Sequence, residues 1–86
     1  MKTITSIAAL AAIFASSITL AAPVNINTAS AEQIAEALHG VGLSKAQAIV
    51  DYREAYGAFG QADEIVYVRG IGESTFQQNR DDILVK

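Results

Sequence analysis

Two short stretches, Gly40-Val41-Gly42 and Gly70-Ile71-Gly72, repeat one pattern of glycine, apolar residue, glycine at a spacing of 30 residues. Each is followed two positions on by a serine, Ser44 or Ser74. Glycine is poorly suited to a helix interior and well suited to a tight turn or a close approach of backbone to another group. The pattern therefore predicts a helix ending before each pair and a second helix starting just after it. The first N–H groups of a helix have no partner within it, and its dipole places partial positive charge at the same end. Bare glycine backbone beside a helix start is thus suited to holding an anion through main-chain amides, with no need for lysine.

The similarity extends beyond the glycines. With "LHGVGLSKAQAIVDY" (38–52) laid over "VRGIGESTFQQNRDD" (68–82), Leu38 meets Val68, Val41 meets Ile71, Ser44 meets Ser74, Gln47 meets Gln77 and Asp51 meets Asp81. Self-similarity at a fixed period indicates a repeated structural unit, here helix, Gly-apolar-Gly turn, helix. Val41 and Ile71 should point inward and pin each turn to the core. Ser44 and Ser74 should cap the helices that follow. Lys45 stands one residue past the first cap with Thr75 as its counterpart, a cation in one unit and a hydroxyl in the other. Arg69 adjoins the second turn and has either an anion or the carboxylates of Glu64 and Glu73 to pair with.

Catalysis finds no support in the remaining residues. His39 is the only histidine and cysteine is absent, whereas a metal site needs several ligands. No carboxylate pair or nucleophile–base arrangement is apparent, so the chain does not read as an enzyme. Tyr52, Tyr56, Phe59, Tyr67 and Phe76 fit core and boundary packing, and Arg53 fits a brace between helices through a salt bridge.

The elements that must position these turns are short. "PVNINTAS" (23–30) reads as an extended lead-in, with Pro23 opposing helix and Asn25, Asn27 and Thr28 favouring turns. Ser30 followed by Gln33 is a capping-box pattern and starts a helix from Ala31 to about Leu38. A second helix runs from Lys45 to Tyr56 with Ala46, Ile49, Val50 and Tyr56 on its apolar face. Gly57 and Gly60 close it, and Phe59 tucks into the core. A third helix spans Ala62 to Val68 and a fourth runs from Thr75 to about Asp81. The β-branched clusters at 65–68 and 83–85 are too short and isolated to build a sheet. The expected fold is all-α, four short helices in two units of helix, turn, helix, occupying residues 30–86 behind the lead-in at 22–29.

Residues 1–21 read differently. Lys2 precedes "IAALAAIFASSITLAA" (7–22), which carries no charge. A basic start, a short apolar run and small residues at its end describe a secretory signal peptide, with cleavage after Ala21 preferred to cleavage after Ala22 or retention as an anchor. An exported chain, periplasmic and without stable membrane insertion after cleavage, is the expectation. The whole chain has six basic and nine acidic residues; without Lys2 the balance is five against nine, a net charge of −4. A domain of about 65 residues without disulfides must fold on packing alone, and a 60-residue domain buries only about 60% of its unfolded surface, which favours compact helices with short loops.

Two tandem Gly-apolar-Gly turns resemble the helix-hairpin-helix fold of non-sequence-specific DNA-binding proteins. "VNINTASAEQIAEALHGVGLSKAQAIVDYRE" followed by "GAFGQADEIVYVRGIG" is similar, more narrowly, to the ComEA family of secreted DNA receptors in natural transformation. The resemblance spans Val24 to about Ile83. It implies double-stranded DNA as the partner, held on backbone phosphates across a minor groove by the amides of Gly40, Val41, Gly42, Gly70, Ile71 and Gly72. Lys45, Thr75, Ser44, Ser74, Arg69 and His39 stand beside them. It also implies a role in retaining DNA that enters through an outer-membrane pore, with pore or inner-membrane channel components as further partners. A monovalent cation on the Gly40 or Gly70 carbonyl is the one cofactor it suggests. His39, Leu43 and Glu73 depart from the family pattern, Glu73 by placing a carboxylate beside the second turn. An acidic chain that uses amides rather than lysines should bind with micromolar-class affinity and a shallow salt dependence. The rival expectation is a secreted protein-interaction module, which helix-hairpin-helix pairs also form.

Overall fold

The computed structural model describes residues 23–86. The expected signal peptide and its cleavage site lie outside the described residues. Among those described, no helix is long and apolar enough to cross a membrane.

The chain order is strand β1 (Val24–Asn25), helix α1 (Ala31–Ala37), helix α2 (Leu43–Tyr56), a 3₁₀ helix (Ala62–Tyr67), helix α3 (Glu73–Asn79), a 3₁₀ turn (Arg80–Asp82) and strand β2 (Ile83–Leu84). Helix α1 starts where the capping box places it. The Ser30 hydroxyl accepts from the Gln33 amide at 3.1 Å, and the Gln33 side chain accepts from the Ser30 amide at 2.9 Å. Ala31, Ile34 and Leu38 are buried along one face, and α1 packs on α2, which buries Ala46 and Ile49.

The third helix is 3₁₀ rather than α. Ile65, Val66 and Val68 are β-branched, which lowers α-helix propensity, and the segment is confined between two glycine turns. A 3₁₀ helix puts residues i and i+3 on one side, so Ile65 and Val68 both face the core. The Val68 amide donates to the Ile65 carbonyl at 3.1 Å.

The all-α expectation needs one correction. Residues 83–84 do form a strand, because their partner is the lead-in and not a neighbour in sequence. Val24 pairs with Ile83 and Asn25 with Leu84 in a two-residue parallel ladder, extended by the Ile26 amide donating to the Leu84 carbonyl at 3.1 Å. The lead-in is accordingly part of the core: Ile26 is 0% exposed. Two side chains hold it there. Asn27 exchanges two hydrogen bonds with the Phe59 backbone, its Oδ1 accepting at 2.7 Å and its Nδ2 donating at 3.1 Å. Arg53 does brace the structure, but through carbonyls and not through a salt bridge; one guanidinium nitrogen donates to Ile26 at 2.8 Å and to Ala29 at 2.7 Å.

The aromatic residues divide. Phe59 and Phe76 are buried as expected, and Tyr52 stacks on Phe59 with ring centroids 5.3 Å apart. Tyr56 and Tyr67 are 76% and 67% exposed. Tyr56 therefore does not belong to the core face of α2; it lies against Tyr52 on the outside, centroids 4.7 Å apart.

Candidate nucleic-acid interface

Both Gly-apolar-Gly stretches adopt the same local conformation. Gly40 and Gly70 have φ of +73° and +93°, the left-handed region where an L side chain is strained. Gly42 and Gly72 are extended and act as the N-caps of α2 and α3. Between them Val41 and Ile71 are buried, as their inward role requires. Glycine at the first position turns the chain out of the preceding helix, the apolar residue anchors the turn, and the second glycine leads into the next helix with no side chain over it.

Both helix starts lie two residues earlier than the serines suggested. Helix α2 begins at Leu43 and α3 at Glu73, with no side-chain cap on either. Ser44 and Ser74 are therefore second residues of their helices and not caps. Glycine can enter extended backbone and serve as N-cap, which leaves both hydroxyls exposed and unused in capping.

This shift enlarges the donor set. The first intrahelical bonds are those from Ala46 to the Gly42 carbonyl, 2.9 Å, and from Phe76 to the Gly72 carbonyl, 3.1 Å. The amides of Leu43, Ser44 and Lys45, and of Glu73, Ser74 and Thr75, precede them and have no acceptor within their helices. Helix α2, at 14 residues, supports the larger dipole; α3 has seven. One expected donor is lost: the Ile71 amide donates to the Val68 carbonyl at 3.0 Å, which closes the second turn and withdraws that N–H from any ligand.

Space around the entrances is open where an anion would need it. A Cβ built on Gly42 or Gly72 would meet no heavy atom within 4 Å. His39, Gly40, Gly42, Ser44, Lys45, Arg69, Gly70, Gly72 and Ser74 are exposed, and Thr75 is half-buried.

The two units meet through side chains that cross between them. Lys45, in the first turn of α2, lays its stem on the second hairpin. Its Cγ, Cε and Cδ lie 3.5, 3.6 and 3.8 Å from the place a Gly70 Cβ would take. Gln78 of α3 reaches back, its Oε1 lying 3.7 Å from the corresponding point at Gly40. A lysine from the first turn of α2 thus packs its stem on the second hairpin.

Three carboxylates make local hydrogen bonds. Glu73 accepts from Gln77 Nε2 at 2.8 Å, along its own helix. Glu64 accepts from the Gly60 amide at 2.9 Å. Glu64 and Glu73 bond to Gly60 and Gln77 and not to Arg69 among the described residues, and Arg69 is exposed. Asp51 accepts from Gln47 at 3.0 Å on α2. Among the described residues no group of three or more His, Asp or Glu side chains could hold a metal ion, so a cation at a hairpin would rely on backbone carbonyls.

Two contributors escaped sequence reasoning. Leu43 supplies a first-turn amide and is 55% exposed, but serine at the next position drew the cap assignment away from it. Asn79 is the one buried polar residue among those described. Its Oδ1 accepts from the His39 amide at 2.7 Å and its Nδ2 donates to the His39 carbonyl at 2.8 Å. Its counterpart in the first unit is the apolar Ile49, so the repeat alone gave no cue to it.

Comparison with known proteins places this geometry in context. The model of the helix-hairpin-helix motif matches residues 21–84. Over 60 residues the chain is 50% identical to an uncharacterized protein of Haemophilus influenzae, covering 70% of this chain and 54% of that one. Over 63 residues it is 48% identical to ComE operon protein 1 of Bacillus subtilis, covering 73% of this chain and 30% of that one. A more distant likeness, 38% over 61 residues, is to human endonuclease/exonuclease/phosphatase family domain-containing protein 1, where it covers 71% of this chain and 10% of that protein. The chain spans about half or less of the length of these relatives. Paired glycine turns of matching backbone geometry, each leading into an uncapped helix, and the match across nearly all the described residues make this chain a member of the helix-hairpin-helix family, similar within it to ComE operon protein 1.

Proposed function

We propose that this chain binds double-stranded DNA without sequence preference, through backbone phosphates held at the two hairpins, and that it retains incoming DNA in the periplasm during natural transformation. The observation that carries the reading is the pairing of two open helix entrances, with a lysine of the first packed on the second hairpin. The space beside Gly42 and Gly72 is open, and Lys45 reaches from the first turn of α2 to the second hairpin. Phosphate contacts of this kind position a duplex and carry no direct sequence information. The family membership and the likeness to ComE operon protein 1 support the same conclusion.

In this reading the amides of Gly42, Leu43, Ser44 and Lys45 hold one phosphate. Those of Gly72, Glu73, Ser74 and Thr75 hold another. The hydroxyls of Ser44 and Ser74 add donors, and Arg69 and His39 flank the two turns. The Gly40 and Gly70 carbonyls are neutral oxygens in exposed turns, the chemistry a monovalent cation accepts, and such an ion would soften the approach of phosphate. The role is binding and not catalysis; the activity in the name of the human relative belongs to a protein of which the shared stretch is a tenth. An export signal at residues 1–21 and handover to pore or inner-membrane channel components complete the proposal.

The test is fluorescence anisotropy of the protein with a labelled random-sequence duplex across a salt series. Micromolar-class binding is expected at low salt. The slope should be shallow, since each neutralised phosphate contributes about 0.9 to it and Lys45 and Arg69 are the cations at the hairpins. Absence of binding at low salt refutes the reading and favours a protein-interaction module.

A further inference from the structure

We propose that Asn79 is a positioning residue for DNA binding: from the second repeat it sets the backbone that leads into the first hairpin. The inference rests on the duplex-binding reading above. Asn79 ends α3 and is 1% exposed, yet it touches neither hairpin's open face. Its side chain forms a closed pair with one residue, accepting from the His39 amide at 2.7 Å and donating to the His39 carbonyl at 2.8 Å. The second Nδ2 hydrogen goes to the Thr75 carbonyl at 2.9 Å. Both amide hydrogens and one carbonyl lone pair are thereby used.

The partners give this geometry its meaning. His39 is the last residue before Gly40, whose φ of +73° turns the chain toward the first entrance. Holding both the N–H and the C=O of His39 fixes the two peptide planes that lead into that turn. Thr75 belongs to the first turn of α3, which is the second entrance. One side chain therefore joins the backbone before the first entrance to the backbone of the second.

Packing alone would not select asparagine here. The equivalent position of the first unit holds Ile49, fully buried. Burying an amide is costly unless its hydrogen bonds are made, and an aliphatic residue fills such a position without that requirement. Asparagine appears in the unit where backbone of the other unit must be held. The Asn27 pair with Phe59 uses the same two-bond device to hold the lead-in, but far from either hairpin in sequence.

The test compares the full chain with Asn79→Leu, alone and combined with Gly42→Ala or Gly72→Ala. Folding is checked by circular dichroism and duplex affinity by anisotropy. Asn79→Leu should remain helical and weaken binding about tenfold. Because it acts through the first hairpin, it should add little to Gly42→Ala, while its loss should multiply with that of Gly72→Ala. Affinity within twofold of wild type, or equal multiplication with both alanines, overturns the proposal. If Asn79→Leu does not fold, the intact protein decides through hydrogen exchange of the Asn79 side-chain amide measured by NMR. Saturating duplex should slow that exchange at least threefold, and an unchanged rate overturns the proposal. A wild-type protein that fails to bind duplex removes the underlying reading and this one with it; wild-type binding with an insensitive Asn79→Leu removes only this one.

Discussion

Gly42→Ala and Gly72→Ala separate folding from ligand binding because each adds a single methyl group to a place the fold does not use. Gly42 has φ of −75° and Gly72 of −103°, values any residue adopts, and neither new Cβ would meet a heavy atom within 4 Å. Alanine is a poorer N-cap than glycine, which destabilises the folded state. It also reduces the freedom of the unfolded chain, a gain of about 0.4–1 kcal/mol. The two effects oppose one another, so the net change in stability should lie within about 0.5 kcal/mol. For a domain of this size that is a Tm shift of about 4 °C or less. DNA binding should respond very differently. In the proposed complex the methyl group crowds the amides that face a phosphate oxygen and keeps that oxygen from closing on them. Hydrogen bonds to charged groups contribute about 1.5–3 kcal/mol, and each 1.4 kcal/mol is tenfold in affinity. Each variant should therefore lose about tenfold to a hundredfold in duplex affinity, measured by anisotropy at low salt. If the two hairpins hold separate phosphates, the double variant should lose the product of the single losses. Thermal melts by circular dichroism provide the control. Wild-type affinity in both variants, with melts unchanged, would show that the duplex does not approach these entrances, and the amide-phosphate argument would fail.

Other variants test neighbouring parts of the argument. Lys45→Met keeps the stem that packs on Gly70 and removes the charge, so stability should stay within about 0.5 kcal/mol while the salt slope of duplex binding falls by about 0.9. Ser30→Ala should cost about 0.5–2 kcal/mol in denaturant unfolding because Ser30 is a true cap. Ser44→Ala and Ser74→Ala should each cost less than about 0.5 kcal/mol because neither serine caps; equal losses from all three would contradict the observed helix starts. Arg53→Met removes two hydrogen bonds from a guanidinium to the lead-in carbonyls, at a cost of about 1.5–3 kcal/mol for each charged bond at most. Urea unfolding should show that loss, and the affinity of the folded fraction for duplex should be unchanged.

Much of the hairpin geometry was legible before any tertiary contact was known. Local chemistry dictates it: a glycine must take the positive φ at Gly40 and Gly70, an apolar residue between glycines must anchor inward, and Ser30 with Gln33 can satisfy a helix start reciprocally. The duplication at 30 residues then implies two such turns. Local chemistry misled where a second solution was available nearby. Ser44 and Ser74 look like caps, but an extended glycine allows the helix to begin earlier and frees the serine hydroxyls. Ile65, Val66 and Val68 suit a helix by pattern, yet their branched side chains and the short span between turns favour the 3₁₀ form. Tyr56 fits the apolar face of α2 by spacing, but Tyr52 and Phe59 already fill the position beside it.

What the amino-acid order determined by itself was the existence and place of the pair of turns, because the glycine pattern that marks them is local. What only the tertiary structure decided was their mutual placement: Lys45 resting on Gly70, Asn79 holding His39, Arg53 and Asn27 gathering the lead-in, and β1 beside β2. Those contacts join residues 24 to 59 positions apart, and no local pattern encodes them. The physical reason is that a buried or half-buried asparagine or arginine must find backbone partners wherever packing supplies them. Which carbonyl or amide is supplied is settled only when the two units close on a common core.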